Sequence, residues 1–146
     1  MDQLRRLISA RQGASAVELA LALPLLLLLL LLAIDYALAF SAQMRLSSAA
    51  ARAAELATGS GRVLSSYEFL AAEAQTAAPG ATATVTNWLE CNAVRQQDAA
   101  GVCGSGIRFS RYVQVRVADT YQPIFRLGSV VGAPIPIEGA ATVRVQ

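Results

Sequence analysis

The chain has 146 residues, a mean hydropathy of +0.45 and a formal net charge of +2, with no histidine and every cation an arginine. So even a balance argues against a nucleic-acid binder, which needs a concentrated basic surface. The missing histidine removes the commonest general base and metal ligand, and with it any Ser-His-Asp triad.

Residues 1–13, MDQLRRLISARQG, set Arg5, Arg6 and Arg11 against the single acid Asp2 and read as a short basic leader retained in the cytoplasm. From Ala14 the composition changes abruptly. Leu stands at 19, 21, 23 and 25–32, broken only by Ala20, Ala22 and Pro24. A helix apolar on every side has no face for water, and about 20 such residues cross a bilayer core. The expectation is a transmembrane helix over 14–40, with Ala14 to Ile34 supplying the length and Asp35-Tyr36 marking the interface, where Tyr is enriched. The basic leader then places everything after residue 40 across the membrane, where a cysteine pair can oxidise. Beyond the span, roughly 110 residues remain, enough for one modest core.

Glu18 is the anomaly, a carboxylate near the start of the apolar run. A secretory signal with Ala37-Leu38-Ala39 as its cleavage site is one reading. The apolar core is longer than the usual ~7–15 residues, however, and Asp35-Tyr36 intervenes. A plain signal anchor is another, and it leaves Glu18 unexplained. The third is a class III, prepilin-type leader, in which cleavage follows Gly13 and Glu18 becomes the fifth mature residue. Cleavage there frees the α-amine of Ala14, which shares a helix face with Glu18 at i and i+4. A carboxylate near a helix N-terminus is also favoured by the dipole.

Residues 41–58 continue the helix. Ala42, Leu46, Ala49, Ala53 and Leu56 fall on one stripe, and Ser41, Arg45, Ser48, Arg52 and Glu55 fall on another. Gly59 and Gly61 are the natural stop. The stripe reads either as the buried side of an intramolecular helix or as a filament contact. Residues 59–146 form a small α+β extracytoplasmic domain. Ser65-Ser66-Tyr67-Glu68 has capping-box spacing and opens a second helix that ends before Pro79-Gly80. Three stretches alternate as strands: Thr82–Asn87, Val113–Val117 and Ala141–Val145. Pro123, Gly128, Gly132, Pro134 and Pro136 predict an apolar loop between the last two. The fold class is therefore α+β: a long N-terminal helix, a short second helix and a small antiparallel sheet of three strands.

Cys91 and Cys103 flank an eleven-residue loop in the exported part and are expected to form a disulfide. Two cysteines without histidine are too few for a structural zinc site. No nucleotide-binding glycine fingerprint occurs, and the pairs Glu68/Glu73 and Glu90/Asp98 read as solvated surface. No catalytic residue, metal site or cofactor is expected, and the chain reads as a substrate of enzymes rather than as one.

The segment RQGASAVELALALPLLLLLLLLAIDYALAF resembles the opening of TadE-like minor pilins (pseudopilins) of bacterial tight-adherence (Tad/Flp) pilus systems. The resemblance rests on Arg11, the box from Gly13 to Glu18, Pro24 and the pair Asp35-Tyr36. Arg111–Val117, Tyr121–Phe125 and Ala140–Gln146 are similar to the closing strands of that family. The resemblance implies a minor pilin-like structural or assembly subunit cleaved between Gly13 and Ala14 by a prepilin peptidase, with Glu18 as the assembly and recognition residue. It implies residence in the bacterial inner membrane as a single-pass protein, the N-terminus cytoplasmic and the domain periplasmic, before incorporation into a pilus. Its implied partners are other TadE- or TadF-like subunits, the major pilin and the inner-membrane assembly platform, and no nucleic acid. The reading from another class is an exported or membrane-anchored binding domain whose N-terminus is only a secretion signal or signal anchor.

Overall fold

A computed structural model describes residues 2–59, 66–125 and 132–146, with side chains from Ser15 onward. One helix, α1 (Asp2–Gly59), runs unbroken through the basic segment, the Leu run, Pro24 and the alanine-rich stretch. At 1.5 Å per residue it is about 87 Å long. Pro24 removes one backbone donor, a loss that membrane helices tolerate. No glycine lies between Gly13 and Gly59, so nothing else in the sequence weakens it.

A short helix α2 (Phe69–Ala77) and four strands follow: β1 (Thr82–Cys91), β2 (Val94–Arg95), β3 (Phe109–Tyr121) and β4 (Ile135–Arg144). The sheet order is β2-β1-β3-β4, antiparallel throughout. Both helices pack on one face of this sheet, α1 mainly across β3 and β4, α2 across β1 and β3. The core lies between the layers. Val113, Val115 and Val117 of the central strand meet Leu46 and five alanines of α1, together with Leu70 and Ala74 of α2. On the other face, Thr82, Thr84 and Thr86 are exposed, and an exposed Arg116–Glu138 pair at 3.6 Å contributes little.

The α+β class holds, with four strands instead of three. β2 has only two residues, too short for any alternation to register. It joins β1 through Asn92-Ala93, both at positive φ (51° and 65°), a mirror-image turn that suits Asn and strains Ala. Pro136 stands inside β4, not in a loop, because β4 is an edge strand where a missing N–H costs no ladder bond. Ser65 of the capping box lies outside the described residues. Glu68 occupies the N-cap without a side-chain bond, and its N–H instead donates to Ser66 Oγ at 3.3 Å.

The sheet touches α1 with almost no side chain between them. On α1, Ala49, Ala50, Ala53, Ala54 and Ala57 are all buried, and Arg45, Ser48, Arg52 and Glu55 face water as the second stripe predicts. Leu56 is 47% exposed, so Ala57 rather than Leu56 continues the buried stripe. From the sheet, Gly139 meets the helix backbone itself. A Cβ there would lie 2.3 Å from the Ser47 nitrogen and 2.4 Å from the Leu46 carbonyl carbon. Gly139→Ala must therefore push β4 off the helix, a destabilisation of about 1–3 kcal/mol or more. Urea unfolding of the full chain in detergent micelles, read from the single tryptophan Trp88, measures it. An unchanged midpoint would mean that the helix–sheet contact is looser than this.

Candidate functional site

Two halves of α1 meet different surroundings. From Val17 to Leu30 every large apolar side chain is exposed. Ser15 to Ile34 rises about 30 Å, the thickness of a bilayer hydrocarbon core. This is the one helix among the described residues long and apolar enough to cross a membrane. Gly13 and Ala14 lie within the helical backbone, and Glu18 is exposed one turn after Ala14. The backbone thus sets Ala14 and Glu18 on one face at i and i+4.

At Asp35 the surroundings change. This carboxylate is the one buried charged or polar residue among the described residues, 7% exposed. Its Oδ1 accepts a hydrogen bond from the Ile124 N–H at 2.9 Å and its Oδ2 one from the Phe125 N–H at 3.0 Å. Tyr121 donates its hydroxyl to Oδ1 at 3.4 Å, a long bond. Two consecutive backbone donors on an ionised acceptor make charge-assisted bonds, and they compensate a burial that would otherwise be costly. The effect is a clamp that joins the turn after β3 to the helix at the residue that ends the apolar run of the sequence. Tyr121 is half-buried, and its phenol is raised above the ordinary 10.0, first by desolvation, then by the charge of Asp35 and its hydrogen bond.

The sequence reading treated Asp35 as an interface marker and missed this role. A signal was present. Counting back from Leu46 by 4, 3 and 4 gives Ala42, Ala39 and Asp35, the same helix face that buries Ala50, Ala53 and Ala57. An acid on a buried stripe calls for a partner.

The far end of the sheet carries the disulfide. Cys91 and Cys103 are bonded, with Cα atoms 5.8 Å apart, and closing this loop stabilises the domain by about 3 kcal/mol in the chain-entropy account. The Arg111 guanidinium donates to the carbonyls of Ala99 and, at 2.7 Å, Gly101, which folds the loop onto β3. Trp88 stacks on Tyr112 across the strands, with Arg95 4.4 Å from the indole centre. A cleft of about 520 Å³ opens here, lined in part by Trp88, Asp98, Arg111 and Tyr112. Its charged groups are already engaged, because Asp98 accepts from the Ala100 N–H and Arg111 holds the loop. Glu90 accepts from the Trp88 indole, and Glu68 and Glu73 are exposed. Among the described residues no group of three or more Cys, Asp or Glu is placed to hold a metal.

Residues 13–55 match a protein-family model described as TadE-like protein. The match begins at Gly13, covers Glu18 and Asp35, and ends within the half of α1 that packs on the sheet; it does not extend to the closing strands. No curated protein and no solved structure matches the chain.

Each hydrogen bond to a charged group contributes about 1.5–3 kcal/mol. Asp35→Ala strands two backbone N–H groups and should destabilise the domain by about 3 kcal/mol, with Asp35→Asn recovering part. The same Trp88 unfolding assay reads both; a loss below that of a surface substitution would remove the clamp. The Tyr121 phenol stays protonated in the folded state beyond the pH at which it ionises in the unfolded chain. Its stabilisation is complete below the ordinary 10.0 and disappears as pH rises through the elevated folded value. A tyrosinate absorbance titration of wild type minus Tyr121→Phe should show this group ionising above 10.0.

Proposed function

We propose that this chain, TadE-like over residues 13–55, is a minor pilin-like subunit of a tight-adherence pilus, cleaved after Gly13 and anchored through residues 14–34 of α1. The observation that carries the reading is the family match beginning at Gly13, on a helix free and apolar for the length of one bilayer and then packed under a folded domain. The basic leader keeps the N-terminus cytoplasmic and the domain periplasmic, with the protein resident in the inner membrane before assembly. Cleavage needs the scissile bond drawn out of the helix, and Gly13 is a residue at which the helix loses least by opening. The chain is a substrate of a prepilin peptidase and not itself an enzyme. Its partners are other TadE- or TadF-like subunits, the major pilin and the assembly platform.

Glu18 supplies the register. Within one subunit its carboxylate is met by the new Ala14 amine; in an assembly it reaches the Ala14 amine of a neighbour, in surroundings that strengthen the attraction. The exported binding domain is disfavoured by one contact. A signal cleavage after Ala39 would remove Asp35 and leave the Ile124 and Phe125 N–H groups without their acceptor.

N-terminal sequencing of the mature protein tests the cleavage. Ala14 is expected, and Gly13→Val should leave the precursor, about 13 residues longer, still inserted through its arginines. A start at Phe40 would establish a secretory signal, and an intact N-terminus a plain anchor. Glu18→Ala should be inserted and cleaved yet fail to co-purify with its pilin partners, and Glu18→Asp should recover part. Equal recovery of partners by Glu18→Ala would remove Glu18 from subunit registration.

A further inference from the structure

We propose that the turn following β3 is a second membrane contact, through which the periplasmic domain rests on the bilayer with Ile124 entering the lipid interface beside the exit of α1. This rests on the membrane-spanning reading of α1 given above. The Ile124 and Phe125 N–H groups are bonded to Asp35, and Asp35 is the first residue past the free apolar run of the helix. The turn is therefore held at the level where the helix leaves the hydrocarbon. There the Ile124 side chain is 65% exposed although its backbone is fixed.

Three further observations place lipid, rather than water, against it. The β3–β4 hairpin runs along α1 with its connecting end toward Asp35, because Gly139 sits against Leu46 and Ser47 farther from the membrane. Its opposite end carries the disulfide loop and the 91% exposed Val102. Tyr36 (77%) and Phe40 (63%) are exposed on the same turns of α1, an aromatic border of the kind enriched at membrane interfaces. Residues 121–125 and 132–137 contain no charged side chain, and Ile135 beside Tyr121 is also exposed. Apolar side chains against an interface are removed from water, and the one charge in the sequence between these stretches, Arg126, is of the kind whose apolar stem lies along the interface while its head stays in water.

The test uses the full chain in phosphatidylethanolamine–phosphatidylglycerol vesicles containing phosphatidylcholine brominated either near the carbonyl end or near the tip of its acyl chains. Trp88→Phe gives a background without tryptophan, into which Leu29→Trp, Ile124→Trp or Val102→Trp is introduced. Should Trp88→Phe disturb the sheet, the same three substitutions with Trp88 retained give the quenching as a difference from wild type. Ile124→Trp should emit to the blue of Val102→Trp and lose emission most to the carbonyl-end bromines; Leu29→Trp should lose it to the deep ones. Quenching of Leu29→Trp with Ile124→Trp as bright as Val102→Trp would overturn the contact and leave the span standing. An unquenched Leu29→Trp would overturn the span itself. A blue-shifted but unquenched Ile124→Trp would assign the turn to a protein partner, and so also overturn the lipid contact.

Discussion

The close approach of sheet to helix is the constraint on which the rest of the molecule depends. Gly139 has no room for a side chain because the backbone of Leu46 and Ser47 stands where its Cβ would be. The alanines beneath β3 and β4 fill the remaining space with single methyl groups. A layer built this way has little area per residue with which to stabilise a domain. What it gains is shape: two backbones in near contact cannot slide without collision, because packed interiors yield little. The valines of β3 and Leu70 of α2 supply the apolar bulk that the helix face lacks.

At the membrane end of the same stripe the principle changes from shape to hydrogen bonding. Asp35 takes a position that an alanine would fill two turns later. Instead of packing, it accepts the N–H groups of two consecutive residues in a turn that offers no strand partner. The carboxylate could not stay buried without them, and without it the turn would carry two unsatisfied donors. On the proposed membrane-spanning reading of α1, its place one residue past the apolar run is also the nearest to the bilayer at which a charge can stand without entering hydrocarbon.

What was legible in the sequence followed from periodicity. The Leu run, the alternation of Val113, Val115 and Val117, and the alanine stripe each repeat often enough to define an element and its buried side. The disulfide was legible because two cysteines on the same side of the apolar run have one possible partner each. Single residues whose role depends on what lies opposite were not legible. Gly139 looks like any weak point in a strand until the Leu46–Ser47 backbone is seen against it. Asp35 bonds to backbone groups 89 and 90 residues away, which leave no mark in side-chain chemistry. Pro136 misled because a proline ends a central strand but not an edge strand. Leu56 misled because a tally of three and four steps does not fix how wide a face the sheet covers, and its stripe drifted to the rim.

The two fastenings matter together because they act at different heights on one rod. Glu18 and Asp35 are separated by about 26 Å of helix, and Gly139 grips the helix about three turns farther on. If the domain were free to slide or rotate on the helix, the register proposed for Glu18 between neighbouring subunits would say nothing about where their domains stand. Steric contact at Gly139 forbids translation, and the directional bonds at Asp35 forbid rotation. The proline at 24 is the single interruption of the backbone ladder between Glu18 and Asp35, and the lipid-facing leucines around it have no domain to brace them. Any bending is therefore confined to the apolar half of α1, and a position set at Glu18, as proposed, would be carried to the domain by a helix that has only one soft joint on the way.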